Sequence, residues 1–415
     1  MEACLADQQR VVVTGAAGFC PLGGSWEDIS DGLTHHRSGI RRMDDWDRYE
    51  DMRTRLAGVV PEFELPPSYT RKKMRTMGRV AKLAVRATEL ALENARFDLA
   101  AADLTQVGVA YGSSSGCTAA TQELSRFISG EGRGEISSTS YLRMMPHTTA
   151  ANISMHFGLK GRTIPTSSAC TSGSQAIGYA YEAIRFNRID AMVAGGSEGL
   201  CVSQAVVFDL LYATSTRNDT PTQTPAPFDR DRDGLVIGEG GCTLVLESLD
   251  SARRRGAPIL AEVVGYGATS DGGHATRPSQ EMMAATMRLA IEDAGISAGD
   301  IGFVCAHGTA TDHGDVAESH ATAEVLGFKP FASYKGHMGH TLGACGSLES
   351  WFAIEMMNRG HFDPTLNLKN PDPACGDVDY VMNESRNIDT EYVMNNNFAF
   401  GGVNSSLVFR RWNSD

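Results

Sequence analysis

Several features that mark membrane and secreted proteins are missing from this chain. It has no run of about 18 apolar residues, which a membrane-spanning helix would need. Its first residues, MEACLADQQR, are acidic and polar and lack the apolar stretch of a secretory signal. Its nine cysteines, an odd number, have no paired spacing that would indicate a disulfide framework. These absences predict a cytoplasmic protein that does not insert into membranes.

Positive charge is also scarce. The chain has 37 Lys and Arg against 50 Asp and Glu, a net charge of −13, which disfavours nucleic acid as a general partner. One exception is the stretch 68–88, which has seven basic residues and no acidic one. These basic residues recur at helical spacing from Arg71 to Arg86. The stretch predicts either an ordinary solvated helix face or a docking patch for an acidic partner.

Motifs for metals and nicotinamide cofactors are absent or incomplete. No HExxH or paired CxxC spacing is present, so the histidines do not predict a metal site. A dinucleotide-like fingerprint begins at Thr14 and includes Gly18, but its third glycine position is Pro21, which lacks the N–H that a pyrophosphate would need. The only Tyr-x-x-x-Lys, Tyr69 to Lys73, follows that strand too closely to serve such a fold. We therefore expect neither cofactor.

What is present is a globular-enzyme composition, 42% hydrophobic and 21% charged, and one cysteine in an unusual setting. Cys170 lies in TIPTSSACTSGSQAIG (163–178), where an extended segment meets a helix rich in small residues. Unpaired N–H groups at a helix start can stabilise a thiolate. The small and hydroxyl residues around Cys170 leave room for a substrate. The pattern favours a nucleophile over an inert buried cysteine.

Two histidines lie in glycine-rich loops farther along the chain. His307 is in AHGTATDHGD and His340 is in KGHMGHTLGACGS. A neighbouring glycine gives a loop the permissive backbone that a close substrate approach needs. A neutral imidazole can donate a hydrogen bond to a developing oxyanion. Together with Cys170, the two histidines predict acyl chemistry on a thioester.

Two pairs of passages indicate an internal duplication. Segments 103–116 and 299–314 share an acidic residue, an apolar strand and a Gly/Ser/Thr loop, in that order. Segments 171–184 and 342–354 are both small-residue helices that follow such a loop. Two fused copies of one βαβ-rich unit would leave these similarities. We expect the boundary between the copies near 253–257.

The chain resembles the β-ketoacyl-[acyl-carrier-protein] synthases of the I/II branch, which carry a Cys-His-His triad. The resemblance covers nearly the whole chain. It implies an α/β, thiolase-like fold in which two duplicated βαβ-rich halves form a layered α-β-α-β-α core. Residues 1–255 would carry the nucleophile, and residues 256–415 the histidines and a lysine. The motifs that carry the resemblance are SSAC at 167–170, PFDRDRDGLVIGEG at 227–240, HGTATDHGD at 307–315 and K-x4-H-x-x-GA at 335–344.

The resemblance implies a decarboxylative Claisen condensation. An acyl group on Cys170 would react with malonyl-[acyl-carrier-protein] to give 3-oxoacyl-[acyl-carrier-protein], in fatty-acid or related polyene or polyketide elongation. His307 and His340 would stabilise the enolate that remains when CO2 is lost. No cofactor of the enzyme's own is implied, because phosphopantetheine arrives on the acyl carrier protein. A homodimer is expected, with a heterodimer containing a homologous subunit as the alternative.

The resemblance also assigns roles to supporting residues. Lys335 would be an electrostatic organiser paired with an acid, and Glu318 is the expected direct partner. Asp315 and Glu349 would be supporting acids. Phe400 would be a gate, and its N–H would form an oxyanion hole with that of Cys170. The remaining implied contacts are Thr309, Thr311, Phe208, Ser115, Gly401 and Gly402 for the substrate, and Lys72 and Lys73 for the carrier.

Three departures from the family pattern leave acyl length and pathway open. Ala399 replaces the usual glycine before the gate, Gly336 replaces the serine of the usual Lys-Ser-x-x-Gly-His, and Ser115 replaces a larger apolar residue of long-chain members. Tyr212 replaces a frequent basic carrier contact, which bears on carrier docking instead. A catalytically degenerate chain-length partner subunit is one alternative function, and the intact triad argues against it. A thioester hydrolase or a thiolase-like acyltransferase is another. A thiolase would need a second catalytic cysteine where this chain has Phe400 and two glycines.

Overall fold

A computed structural model describes residues 8–413 of the chain. Most strands belong to one 11-stranded sheet, and the others form a three-stranded and a two-stranded sheet. The strands are β1 (Val11–Phe19), β2 (Ile40–Arg42), β3 (Leu56–Gly58), β4 (Val107–Gly112), β5 (Thr163–Thr166), β6 (Ala191–Glu198), β7 (Ile237–Gly238), β8 (Gly240–Ser248), β9 (Ala261–Ser270), β10 (Ile301–Cys305), β11 (Pro330–Ala332), β12 (His361–Phe362), β13 (Asp379–Tyr380), β14 (Arg386–Asn387), β15 (Tyr392–Ala399) and β16 (Val403–Arg411).

The helices cover both faces of the large sheet. They are α1 (Trp26–Thr34), α2 (Arg71–Met74), α3 (Arg79–Asn94), α4 (Thr118–Ile128), α5 (Ser140–Met144), α6 (Thr148–Phe157), α7 (Ser172–Arg185), α8 (Val202–Leu210), α9 (Leu249–Arg254), α10 (Gln280–Ala294), α11 (Asp312–Leu326), α12 (Lys335–Met338) and α13 (Cys345–Arg359). Within residues 8–413, none of the helices is both long and apolar enough to cross a bilayer.

The large sheet repeats one strand pattern twice. Its order is β13-β11-β10-β15-β16-β9-β1-β8-β6-β4-β5. The strands β1, β8 and β6 pair antiparallel, and β6, β4 and β5 pair parallel. The strands β9, β16, β15, β10 and β11 repeat this pattern in the same sequence order. The repeat bears out the predicted duplication, while the boundary at residues 255/256 stays a prediction.

The two halves of the sheet enclose a pair of central helices. Helix α3 packs on the outer face of β1 and β8, and α10 packs on the outer face of β9 and β16. Helices α7 and α13 contact each other and strands of both halves, so they form the middle layer. The largest buried apolar cluster is centred on these two helices. The layers are therefore α-β-α-β-α, and the predicted thiolase-like fold is confirmed.

Small residues let the two central helices approach each other and the sheet. Gly173 of α7 lies so close to α13 that an added Cβ would be 2.9 Å from the Ser347 backbone nitrogen. At Gly178, one turn and a half farther along α7, an added Cβ would overlap the Tyr266 ring. These contacts explain why the segment after Cys170 is rich in glycine and alanine.

The basic stretch does not form the single helix expected from its spacing. Helix α2 ends at Met74 and α3 begins at Arg79, with Gly78 as its N-cap. Glycine disfavours a helix interior and is acceptable at an N-cap, which accounts for the break. Arg79 is also engaged in an ion pair with the buried Glu239 at 2.6 Å. The exposed cationic surface is therefore concentrated on α2, which carries Lys72 and Lys73.

Candidate active site

The residues predicted for catalysis come from both halves of the fold. Cys170 follows β5, His307 follows β10, Lys335 and His340 follow β11, and Phe400 follows β15. These four strands run parallel within their halves, so the loops after them emerge at the carboxyl edges of the strands. The structure brings the five residues together around one cavity or directly behind its wall.

The nucleophile is held in a strained turn. Cys170 lies in a short 3-10 turn, Ala169–Thr171, directly before α7. Ala169 has a φ of +51°, which L-residues rarely adopt. The Ser172 hydroxyl stabilises this turn, because it donates to the Ala169 carbonyl at 2.7 Å and accepts from the Ser168 N–H at 3.1 Å. Such strain is typical of a side chain that must be held in a fixed position.

The Cys170 thiol is almost completely buried, with 2% of its residue surface exposed. The His340 Nε2 atom lies 2.9 Å from the Cys170 sulfur. Burial raises the pKa of Cys170 to about 12, although the Lys335 charge and the backbone N–H groups of Phe400 and Cys170 lower it. The Cys170 N–H favours the thiolate, as expected at a helix start, but desolvation outweighs it and the resting group is the thiol. The same two N–H groups meet at the sulfur, where the predicted oxyanion hole requires them.

Lys335 has a different partner from the one expected. Its ammonium forms an ion pair with Glu349 of α13, and both side chains are fully buried. The same ammonium lies 3.3 Å from His307 Nδ1. The prediction that Glu318 pairs directly with Lys335 is wrong, because the Glu318 carboxylate accepts the backbone N–H groups of His307 and Gly308, both at 2.7 Å.

The two acids of the HGTATDHGD segment hold the loop that carries His307. Asp315 accepts the N–H groups of Thr309 at 3.0 Å, Ala310 at 3.1 Å and Phe228 at 2.7 Å. Burial raises the pKa of Asp315 to about 6 and that of Glu318 to about 8. Both acids therefore shape the loop through backbone hydrogen bonds.

His307 and His340 face each other as uncharged rings. Their ring centroids are 5.1 Å apart and their planes are nearly perpendicular, at 87°. Burial and then the nearby Lys335 charge lower the pKa of each well below its ordinary value. Because His307 Nδ1 faces the Lys335 ammonium, the single proton of the neutral His307 ring lies on Nε2. The site therefore offers an N–H donor.

Donor atoms of Cys170, His307 and His340 lie within 4.8 Å of one another, as do those of His307, Cys345 and Glu349. The Lys335 ammonium contacts both His307 and Glu349, so a divalent cation would meet a fixed positive charge there. This donor set fits acyl chemistry better than metal binding. The expectation of no metal stays a prediction.

A cavity of about 390 Å³ leads from the surface to Cys170. Thr309 and Thr311 line it, and their hydroxyl oxygens are 2.9 Å apart. His307, His340, Phe400 and Gly402 line it as well. The two hydroxyls therefore face the route to the thiol, and their role in binding a substrate stays a prediction.

Of the remaining predicted substrate residues, Phe208 contacts the expected gate residue, Phe400. The Phe400 ring is 37% exposed and packs on Phe208, with ring centroids 5.0 Å apart. Gly401 and Gly402 have φ values of +85° and +71°, which glycine adopts without strain. Phe208, Ser115 and Gly401 do not line the 390 Å³ cavity. The Phe400 ring therefore marks the border between the cavity and the side where Phe208 lies.

The predicted carrier contacts lie on the surface away from the cavity wall. Lys72 and Lys73 are exposed on α2 and do not line the cavity. Leu211 and Tyr212 line the cavity and are exposed as well. The Arg53 guanidinium stacks over the Tyr212 ring at 4.2 Å from its centroid, so a cation accompanies the tyrosine.

Sequence reasoning did not single out three buried polar residues of the site. Glu198 forms no ion pair within residues 8–413 and accepts N–H groups of Ser114 at 2.7 Å and Gly343 at 3.2 Å. Cys345 donates its S–H to the Cys170 carbonyl at 3.2 Å. Asn397 contacts His307 and Glu349. For Asn397, the sequence offered one signal: a run of three asparagines within an otherwise apolar strand, where asparagine is disfavoured.

The fold and the site together define a condensing enzyme of the acyltransferase class. The description "Beta-ketoacyl synthase, N-terminal domain" matches residues 8–252, and "Beta-ketoacyl synthase, C-terminal domain" matches residues 260–369. The chain belongs to the β-ketoacyl synthase family.

Three similar proteins support this assignment. A 3-oxoacyl-[acyl-carrier-protein] synthase 2 of Vibrio cholerae is 36% identical over 97% of this chain and 99% of its own length. The crystal structure of a β-ketoacyl synthase from Burkholderia phymatum is 53% identical, with a TM-score of 0.96 over 98% of this chain and 100% of that one. A type II polyketide ketosynthase in complex with its acyl-carrier protein is 29% identical, with a TM-score of 0.87 and the same coverage.

Proposed function

We propose that this protein elongates acyl chains by condensing an acyl group on Cys170 with malonyl-[acyl-carrier-protein], releasing CO2 and 3-oxoacyl-[acyl-carrier-protein]. The observation that carries the proposal is the meeting of three groups. A buried thiol lies 2.9 Å from one neutral histidine, and a second neutral histidine is oriented by a buried lysine. The pathway, whether fatty-acid or polyene and polyketide elongation, is set by the acyl groups supplied.

In the first half-reaction, the Cys170 sulfur attacks the carbonyl carbon of the incoming thioester. The new S–C bond forms as the bond to the pantetheine sulfur breaks, and the pantetheine thiol leaves with the proton that Cys170 loses. His340 Nε2, 2.9 Å from the sulfur, donates to it and stabilises the thiolate character that develops as the proton passes to the leaving thiol. The N–H groups of Cys170 and Phe400 stabilise the tetrahedral oxyanion.

In the second half-reaction, the malonyl thioester occupies the cavity beside the acylated cysteine. Its carbon–carboxylate bond breaks, CO2 leaves and the electron pair moves onto the thioester oxygen. His307 and His340 donate to that oxygen, since burial keeps both rings neutral. The enolate carbon then attacks the acyl carbonyl, the bond to the Cys170 sulfur breaks, and the thiolate that leaves takes up one proton from solvent.

The partner that supplies both substrates is an acyl carrier protein. Such carriers are acidic, and this chain has a net charge of −13, so docking requires a local positive surface. The exposed Lys72 and Lys73 provide one on α2. Leu211 and Tyr212, exposed at the cavity, provide an apolar contact for the base of the phosphopantetheine arm. The thiol-bearing arm is then the only cofactor that the reaction needs.

We also propose a homodimer that forms at the free edge of the sheet. Strand β5 ends the sheet order, and three of its four residues are exposed or partly exposed, while Thr166 is buried. Helix α6 packs beside it and exposes Met155. An exposed strand edge beside apolar side chains is typical of a covered interface. Met155→Arg should yield monomers by light scattering, whereas Phe328→Arg, at an exposed apolar residue elsewhere, should stay dimeric. A monomeric parent would contradict this.

A reducing compartment such as the cytoplasm suits the site. The eight cysteines between residues 8 and 413 are all free, and the reaction needs Cys170 as a thiol.

The test of the proposed reaction is reconstitution with purified carrier substrates. The enzyme is incubated with an acyl carrier protein loaded with C4 to C16 acyl groups and with malonyl-loaded carrier. We expect 3-oxoacyl-carrier two carbons longer and one CO2 per product. Hydrolysis of the acyl carrier without product would support a hydrolase, and inactivity unless a homologous subunit is added would support the chain-length-partner alternative.

A further inference from the structure

Three consecutive asparagines, Asn395 to Asn397, lie within β15 and are fully buried. Side chains alternate along a strand, so Asn395 and Asn397 share one face and Asn396 takes the other. The contacts follow this alternation. Asn396 Oδ1 accepts from Ser406 Oγ at 2.6 Å, whereas Asn395 and Asn397 face α13 and the site. Buried polar groups are usually hydrogen-bonded, and the amide nitrogens of Asn395 and Asn397 both are, although Asn395 Oδ1 has no partner among the described residues.

The Asn397 amide nitrogen bridges two groups of the site. It is 2.7 Å from Glu349 Oε2 and 3.3 Å from His307 Nδ1, and its two hydrogens match these two acceptors. Asn395 fixes which end of the Asn397 amide is nitrogen, because Asn395 Nδ2 donates to Asn397 Oδ1 at 3.3 Å. Asn395 is in turn held by the Gly346 carbonyl of α13 at 3.1 Å. The amide orientation is therefore determined by its surroundings.

His307 Nδ1 consequently faces two donors, the Lys335 ammonium and the Asn397 amide, each at 3.3 Å. The Lys335 ammonium is shared with Glu349 and can rotate about its own bond. The planar Asn397 amide is held at both ends, so it constrains the direction of the His307 ring more tightly. A histidine nitrogen that accepts from such groups cannot carry the ring proton.

We propose that Asn397 is a positioning residue that holds His307 as the Nε2–H tautomer with its donor directed to the enolate oxygen. This role rests on the proposed decarboxylation, in which His307 donates to that oxygen. Asn397 itself does not touch the substrate, since it does not line the cavity. It acts through His307 and through Glu349, whose second oxygen it satisfies.

Asn397→Asp tests the proposal with little change in shape. The new carboxylate replaces a donor by an acceptor, so it draws the ring proton of His307 to Nδ1. We expect the rate of malonyl decarboxylation to fall by about 10²–10³, as for the loss of an oxyanion donor. Acyl transfer to Cys170 should change far less, because it does not use the enolate donor. Asn397→Ala removes a neutral donor without adding an acceptor, so its decarboxylation rate should fall by about tenfold.

The tautomer itself is read without substrate, by NMR of protein with 15N-labelled histidine, with His307 assigned from His307→Gln. We expect the parent to show Nε2–H at His307 and Asn397→Asp to show Nδ1–H. Asn396→Asp is the matched control, because it is equally buried on the same strand but faces away. It should lower the thermal midpoint and leave the His307 tautomer and the rate per folded molecule unchanged.

Two results would overturn the proposal: Nδ1–H at His307 in the parent, or a parental tautomer and rate in Asn397→Ala. Should Asn397→Asp fail to fold, Asn397→Ala and the parent spectrum still decide the matter. A parent that shows Nε2–H but never decarboxylates malonyl substrates would contradict the proposed function alone and leave the tautomer assignment standing.

Discussion

At the scale of single residues, burial controls the charge of the groups that react. Cys170, His307 and His340 are all enclosed, and desolvation favours the uncharged form of each. Lys335 stays charged because Glu349 offsets its burial. The site therefore places neutral donors beside a protected thiol, with one fixed cation behind them.

These charge states predict different pH dependences for decarboxylation and for the reactivity of the Cys170 thiol. Decarboxylation should stay constant between about pH 6 and pH 8, because histidines with lowered pKa values are already neutral there. Alkylation of Cys170 by iodoacetamide should rise about tenfold per pH unit from about pH 7 to pH 9, because a thiol with a pKa of about 12 gains thiolate over that range. Rapid-quench kinetics across buffers of constant ionic strength would measure both. Decarboxylation that falls below about pH 7, or alkylation that levels off near pH 8, would contradict these charge states.

At the scale of elements, the sequence predicted local turns and helices better than it predicted which side chains contact each other. The strand–turn–helix at Cys170 and the loop at His307 were predictable, because small residues and glycines mark such turns locally. The Lys335–Glu349 pair was not, since Glu318 and Glu349 are both acids at plausible positions and only packing decides between them. The break at Gly78 and the Asn397 bridge were missed for related reasons. Helical spacing of charges does not reveal a cap, and polar residues in a strand give no indication of their contacts.

The close approach of α7 to the sheet gives an element-scale prediction. Gly178→Ala should destabilise the protein by about 1–3 kcal/mol, because the new methyl group overlaps the buried Tyr266 ring. Equilibrium unfolding in urea measures the change in the free energy of unfolding. Gly299→Ala, at an exposed glycine with an open surrounding, is the control and should change it by less than about 0.5 kcal/mol. Equal stability of the two variants would show that α7 is not packed as described.

At the scale of the whole molecule, the duplicated halves supply different parts of one site. The first half provides the nucleophile and the second provides both histidines and Lys335, so neither half could carry out the reaction alone. The sequence predicted this division, because the duplicated patterns and the catalytic motifs are both local. The surface that would receive the carrier depends on exposed side chains that are far apart in the sequence. Sequence motifs therefore predict the docking surface less well than the catalytic residues.

Carrier docking gives a prediction at this scale. Lys72→Glu with Lys73→Glu should raise KM for acyl-carrier substrates about tenfold, mainly through slower association, with a smaller effect at high salt. Turnover of a small pantetheine thioester should not change, because the cavity is untouched. Arg188→Glu with Arg254→Glu, which makes the same charge change at exposed positions elsewhere, should behave like the parent. Equal KM values in both double variants would place carrier docking elsewhere on the surface.

The central claim is that Cys170 accepts the acyl group while the two histidines and Lys335 act on the malonyl thioester. Cys170→Gln separates these roles, since an amide resembles the acylated cysteine but cannot accept an acyl group. The most direct measurement follows CO2 release from malonyl-carrier and acylation of the protein by intact mass in this variant. We predict continued decarboxylation with neither acyl-enzyme nor 3-oxoacyl product. Acylation of the variant at another residue, or loss of CO2 release while the fold is retained, would contradict the account.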